Sequence, residues 1–130
     1  MIVADASAVI QACLSEADLE ELRAHDLVAP PLLWSEATSA IHELKWRREI
    51  STELASRAVQ RLRQAPVQAR RWTDLHAEAC RIADRLGWAK TYDAEYVALA
   101  RHSRCRLLTT DARLAAVAGS LVEVIGPADL

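Results

Sequence analysis

The sequence predicts an α/β fold built on a short parallel sheet, and three observations carry that prediction. Short apolar runs at 2–4, 27–29, 105–109 and 121–125 alternate with longer stretches whose apolar residues recur at helical spacing. Parallel neighbours need crossover connections, and the helical stretches supply them. Acidic residues follow or flank the short runs, at Asp5, Glu36, Asp93 and Asp111. Ligands in such sheets sit at the carboxyl ends of the strands, so a suitable strand order could gather all four around one or two divalent cations.

Ile2-Val3-Ala4 reads as a buried strand, and Asp5-Ala6-Ser7 offers polar caps for a helix carrying Val9, Ile10 and Leu14. A second helix follows through Leu19 and Leu22, and Leu27-Val28-Ala29 is the next strand. Pro30-Pro31 ends that strand and opens a helix, because a first turn needs no amide hydrogen bond. It runs to about Arg48, with Leu33, Ala37, Ala40, Ile41 and Leu44 on its apolar stripe and Glu36 at the stripe's edge.

Ser51 can cap the following helix, in which Leu54, Ala58 and Leu62 mark a face and Pro66 the stop. Leu75, Ala79, Ile82 and Leu86 then repeat at helical spacing and end at Gly87, the clearest helix in the chain. Another helix starts around Asp93 and buries Tyr96, Val97, Leu99 and Ala100. Cys105 to Thr109 reads as a strand delivering Asp111 at its carboxyl end. A short helix through Leu114 and Val117 breaks at Gly119, and Leu121 to Ile125 makes the last strand. No repeat or linker interrupts the 130 residues, which predicts a single domain over 1–130.

Cys13, Cys80 and Cys105 are odd in number and lack a C-x-x-C pair, so neither a zinc site nor a disulfide framework is expected, and a reducing cytoplasm fits. No basic leader and no membrane-length apolar run stand out, which predicts a soluble protein with no membrane partner. The net charge of −2 looks wrong for a nucleic-acid ligand until it is divided along the chain. From Lys45 to Lys90 there are 11 basic and 5 acidic residues, a charge of +6, which leaves −8 for the remainder. A basic RNA-contacting surface beside an acidic pocket would have this asymmetry, and so would ordinary solvated helix faces.

Asp5 and Asp111 each follow a strand, where either could point into the crevice or simply cap the next helix. Asp93 stands at a helix start, where capping is again the ordinary account. Glu36 lies inside a helix near its apolar face, where a carboxylate seldom goes without a partner unless it reaches water. Ser7 and Thr110 could hold a carboxylate or a water. Mg²⁺ and Mn²⁺ take oxygen ligands and keep several waters, so a few carboxylates suffice for them. His25, His42, His76 and His102 are scattered, with none beside a plausible nucleophile, so an acyl-transfer triad is not expected.

The opening Ile2-Val3-Ala4-Asp5-Ala6-Ser7, Glu36 in the proline-initiated helix, Thr91 to Ala100, and Leu107 to Leu114 resemble the ordered motifs of the PIN-domain family. The nearest likeness is to VapC-type toxins of bacterial toxin–antitoxin pairs, and it extends over essentially the whole chain. The resemblance implies a three-layer α/β/α fold and Mg²⁺- or Mn²⁺-dependent endoribonuclease activity through a metal-activated water. It assigns Asp5, Glu36, Asp93 and Asp111 to the metal site, with Thr110 and Ser7 in support. It also implies an RNA substrate, a homodimer and a hetero-oligomer with a cognate VapB-type antitoxin.

A groove near Leu14, Leu19, Leu22 and Trp34 could take an antitoxin segment. Glu43 and Glu95 are extra carboxylates near the set, expected at solvent-facing helix positions, with a supporting role beside the acidic residues as the alternative. Trp46, Trp72 and Trp88, interleaved with the basic residues, could stack on unpaired bases or belong to core or interface. The competing readings are a PIN-like nuclease acting on structured DNA and a non-cleaving RNA-binding module. A receiver-like signalling domain would also gather aspartates, but it expects a lysine after a late strand, and neither Lys45 nor Lys90 is so placed.

Overall fold

The computed structural model describes residues 1–130. Five strands, β1 (Ile2–Ala4), β2 (Leu27–Ala29), β3 (Val67–Ala69), β4 (Arg106–Leu108) and β5 (Val124–Ile125), form one parallel sheet in the order β3-β2-β1-β4-β5. The chain steps outward from β1 to β3, returns across the sheet, and resumes at β4 on the other side of β1. The β1/β4 boundary is therefore the point where strand order reverses, and a parallel sheet opens a crevice there. Val3 pairs with Val28 on one side and Leu107 on the other, and all three are buried, as a strand covered on both faces requires.

Seven α-helices cover the sheet: α1 (Ala6–Cys13), α2 (Glu16–Leu22), α3 (Leu32–Trp46), α4 (Thr52–Gln64), α5 (Leu75–Leu86), α6 (Tyr92–Ser103) and α7 (Ala112–Ala118). The helices α1 to α4 pack among themselves, whereas α5 packs on α6 and α6 lies against β1 and β4, giving the three-layer α/β/α arrangement. Thirty-five buried apolar residues join in one core cluster. Fully burying a side chain such as Val3, Leu107 or Leu108 contributes roughly 1.5–3 kcal/mol. The segment Ala94 to Ala100 of α6 is buried without a break, because α5 covers one flank and the sheet the other.

Local chemistry accounts for most boundaries. Asp5, Ser15, Ser51 and Asp111 each accept an amide hydrogen bond in the first turn of the following helix. Gly87 ends α5 at φ +73°, a left-handed conformation that costs any other residue Cβ strain. The sequence missed β3, an edge strand in which only Val67 is buried. The last strand is shorter than expected. Leu121 and Val122 instead fold back on α7, both amides donating to the Ala118 carbonyl. The buried face of α4 runs through Ala55, Ala58 and Leu62, with Leu54 turned half outward. The three cysteines are free thiols, and no helix is long and apolar enough to cross a membrane.

Candidate active site

The carboxyl edge of β1 and β4 is knitted together by hydroxyl groups. Asp5 is 3% exposed. Its Oδ1 accepts from Ser7 Oγ at 2.7 Å and the Ala8 amide at 3.0 Å, and its Oδ2 accepts from Thr109 Oγ1 at 2.6 Å. Thr109 Oγ1 lies 3.1 Å from Ser7 Oγ and accepts the Asp111 amide at 3.0 Å. Asp111 Oδ1 in turn accepts the Arg113 and Leu114 amides, so both strand-end aspartates are helix caps as well as members of the crevice. The capping and clustering alternatives for these two residues are thus realised together.

Glu36 reaches the same crevice from α3. Its Oε1 accepts from the hydroxyl of the fully buried Tyr96 at 3.1 Å. Burial lifts the Glu36 carboxyl above the ordinary range, the Tyr96 hydrogen bond pulls it down, and the charges of Asp93, Asp5 and Glu95 push it up again. Burial likewise raises Asp5 against the pull of Thr109, Ser7 and Ala8, and Asp93 adds to the rise. Asp93 is raised by partial burial of its carboxyl and by Asp111, while Arg113 lowers it. Asp93 stands at the outer rim, where solvent screens its charge. It makes no capping hydrogen bond, contrary to the ordinary reading of a helix-start aspartate.

Two expectations need correction. The threonine hydroxyl inside the network belongs to Thr109, because alternate residues leaving β4 point to opposite sides and Thr110 faces water. Thr110 contributes its backbone amide, which donates to Ser7 Oγ at 3.0 Å. Glu95 is buried, unlike the exposed Glu43, since both flanks of α6 are covered. Its Oε1 lies 3.5 Å from His76 Nε2, and burial raises its carboxyl against the pull of the imidazole. The signal for Glu95 was its place in an otherwise unbroken apolar helix segment. Of the residues expected to line a groove, Leu19 and Leu22 are buried in the core and Leu14 and Trp34 are partly buried against it.

No three Asp, Glu, His or Cys side chains converge tightly enough to clasp a metal ion unaided. A looser oxygen set still fits Mg²⁺ or Mn²⁺, which keep several waters and bind through one or two carboxylates plus substrate phosphate. The upward shifts of Asp5, Glu36 and Asp93 describe negative charges crowded in a partly dry crevice, and a divalent cation would offset that crowding.

The same shifts set a pH dependence. A carboxyl whose folded pKa is raised favours folding fully below its unfolded pKa, and this contribution is lost as pH rises through the folded value. Asp5, Glu36, Asp93 and Glu95 all shift in this direction. The melting temperature in EDTA should therefore fall as pH rises through and above the ordinary carboxylate range, and Mn²⁺ should restore part of it at the upper end. Thermal melts across that range test this, and a metal-free stability that climbs with pH would refute the account.

A model of the PIN domain matches residues 2–120, and the chain belongs to that family. Relatives narrow the type to VapC. The chain is 36% identical over 115 residues to VapC ribonuclease Mb0985 of Mycobacterium bovis, covering 88% of each protein. The same identity and coverage hold for Ribonuclease VapC9 of Mycobacterium tuberculosis. Among solved structures, PAE2754 from Pyrobaculum aerophilum superposes with a TM-score of 0.77 at 25% identity, covering 98% of this chain and 91% of that one. FitAcB from Neisseria gonorrhoeae shares the fold, with a TM-score of 0.61 at 18% identity and full coverage of both chains. The resemblance read from the motifs is borne out at the level of family and fold.

Proposed function

We propose that the chain is a metal-dependent endoribonuclease of the VapC toxin type, a single domain over residues 1–130 that acts in the cytoplasm. Its substrate is RNA, and its partners are a second copy of itself and a cognate VapB-type antitoxin. The likeness to two mycobacterial ribonucleases supports the choice of substrate. The observation that carries the reading is electrostatic: beyond the effect of burial, Asp93 adds to the rise of both Asp5 and Glu36, Asp5 adds to that of Glu36, and Asp111 adds to that of Asp93.

Asp5, Glu36, Asp93 and Asp111 would hold Mg²⁺ or Mn²⁺. When bound, such a cation polarises the phosphoryl oxygens, lowers the pKa of water and offsets charge on the leaving oxygen. The protein's own part is orientation. Ser7 and Thr109 fix both oxygens of Asp5, Tyr96 fixes one oxygen of Glu36, and the Asp111 carboxylate is held by two amides of α7. The Asp93 carboxylate makes no hydrogen bond within the protein, which leaves it free to hold the ion or to orient a water.

The test is cleavage of total bacterial RNA, and of a structured DNA, in Mg²⁺, in Mn²⁺ and in EDTA, beside purified Asp93→Asn. Metal-dependent RNA fragments that disappear with Asp93→Asn are expected. RNA cutting that survives EDTA and the substitution would overturn the reading, and cutting confined to the DNA would move it to a deoxyribonuclease.

A further inference from the structure

Next to the acidic crevice lies a cavity of about 180 Å³ lined by Trp88, Asp93, Asp111, Arg113, Leu114 and Val117. Two of its walls are carboxylates already placed in the site. The other four residues have no part in holding a cation and need a separate account.

Trp88 is placed there by backbone geometry. The left-handed turn at Gly87 ends α5 and reverses the chain, and the Trp88 amide donates back to the Ala83 carbonyl at 2.8 Å. The indole is partly buried against the core, with its remaining surface open to solvent. Its position is thus set before any ligand arrives, which limits the entropy lost on binding. Arg113 sits in the first turn of α7, with its amide held by Asp111 Oδ1 at 2.9 Å. Its side chain is exposed and lines the same cavity as Asp93. The guanidinium makes no ion pair or hydrogen bond within the protein, leaving its planar fork of donors open to an anion. Leu114 is buried, and Val117 is partly exposed at the cavity wall.

An aromatic surface, an unpaired guanidinium and an apolar wall beside carboxylates suited to a cation match the parts of one nucleotide. We infer that this cavity is a nucleotide subsite flanking the cleaved bond, in which Trp88 stacks on an unpaired base and Arg113 pairs with the adjoining phosphate. This rests on the endoribonuclease reading and adds a substrate requirement to it. The nucleotide beside the cut must be unpaired, because a base inside a duplex cannot offer its face to the indole. Stacking is tolerant of base identity, so the subsite selects for single-strandedness more than for sequence.

The test combines two measurements on the full chain and on Trp88→Ala, Trp88→Phe, Arg113→Ala and Trp46→Ala. The first is the fluorescence anisotropy of a short labelled single-stranded oligoribonucleotide of mixed sequence in EDTA, across a salt series. The second is kcat and KM for cleavage of the same RNA with Mn²⁺. Trp88→Ala should weaken binding by roughly 5- to 150-fold and raise KM in parallel, with Trp88→Phe recovering most of the loss. Arg113→Ala should weaken binding and reduce the magnitude of the logarithmic salt slope by about 0.7. Trp46, 80% exposed and outside this cavity, should tolerate alanine without either change.

A parent protein that cuts RNA while Trp88→Ala and Arg113→Ala match it in affinity and KM overturns the subsite and leaves the nuclease reading standing. A parent that neither binds nor cuts RNA overturns both. Arg113→Ala and Trp88→Phe alter an exposed side chain and a partly buried ring, and circular dichroism verifies that each variant is folded.

Discussion

Asp5→Asn should reduce RNA cleavage by at least about 100-fold while leaving a folded protein that melts, in EDTA at neutral pH, no lower than the parent. The two halves of this result come from one carboxylate. In the metal-free protein an ionised Asp5 is unfavourable, because it is almost fully buried and within reach of Asp93's charge. Asparagine removes the charge and keeps the shape. Its carbonyl oxygen can still accept from Ser7 and the Ala8 amide, and its NH₂ can donate to Thr109 Oγ1 once that hydroxyl turns toward Ser7. The parent should gain thermal stability on adding Mn²⁺, and the variant should gain much less. Wild-type cleavage by Asp5→Asn would remove Asp5 from the chemistry. A collapse of its melting temperature in EDTA would show that the carboxylate is structural.

The second large effect is expected at Thr109, where a methyl replaces a hydroxyl at nearly constant volume. Thr109→Val withdraws the donor to Asp5 Oδ2 and the acceptor for the Asp111 amide, leaving two polar groups unpaired at a site that is 4% exposed. Leaving a buried polar group unsatisfied costs about 1–3 kcal/mol, so with two such groups the variant should lose roughly 2–6 kcal/mol of stability. Thr109→Ser should recover most of it, and Thr110→Val, on the exposed side, should change stability by less than about 0.5 kcal/mol. Urea unfolding midpoints of the three variants decide the matter. Similar losses at 109 and 110 would contradict the proposed hydroxyl network.

The difference between these adjacent threonines marks where the sequence stops being informative. Apolar runs and helix caps are local signals, and they located β1, β2, β4 and nearly every helix, together with the two aspartates that follow β1 and β4. Which of Thr109 and Thr110 turns inward depends on the exact last residue of β4, and strand ends are the least legible part of a pattern. Glu95 was misread for a different reason. A helix covered on two flanks has little solvent-facing stripe, and how many neighbours cover α6 is decided by the sheet order, not by α6 itself. The edge strand β3 escaped because its pairing with β2 does not need an apolar alternation, only backbone groups at the right height. The contact between Glu36 and Tyr96 joins residues far apart in the chain and has no local signature.

The placement of β4 directly beside β1 also has a consequence in time. Asp5 is made 104 residues before Thr109, whose hydroxyl holds it, and Asp111 follows later still. A nascent polypeptide from which β4 has not yet emerged has nothing to dock in that slot, and the hydrogen-bond network around Asp5 stays incomplete. The slot around Asp5 therefore closes only after β4 has emerged and docked beside β1, so the order of synthesis and the order of assembly at this edge are tied together.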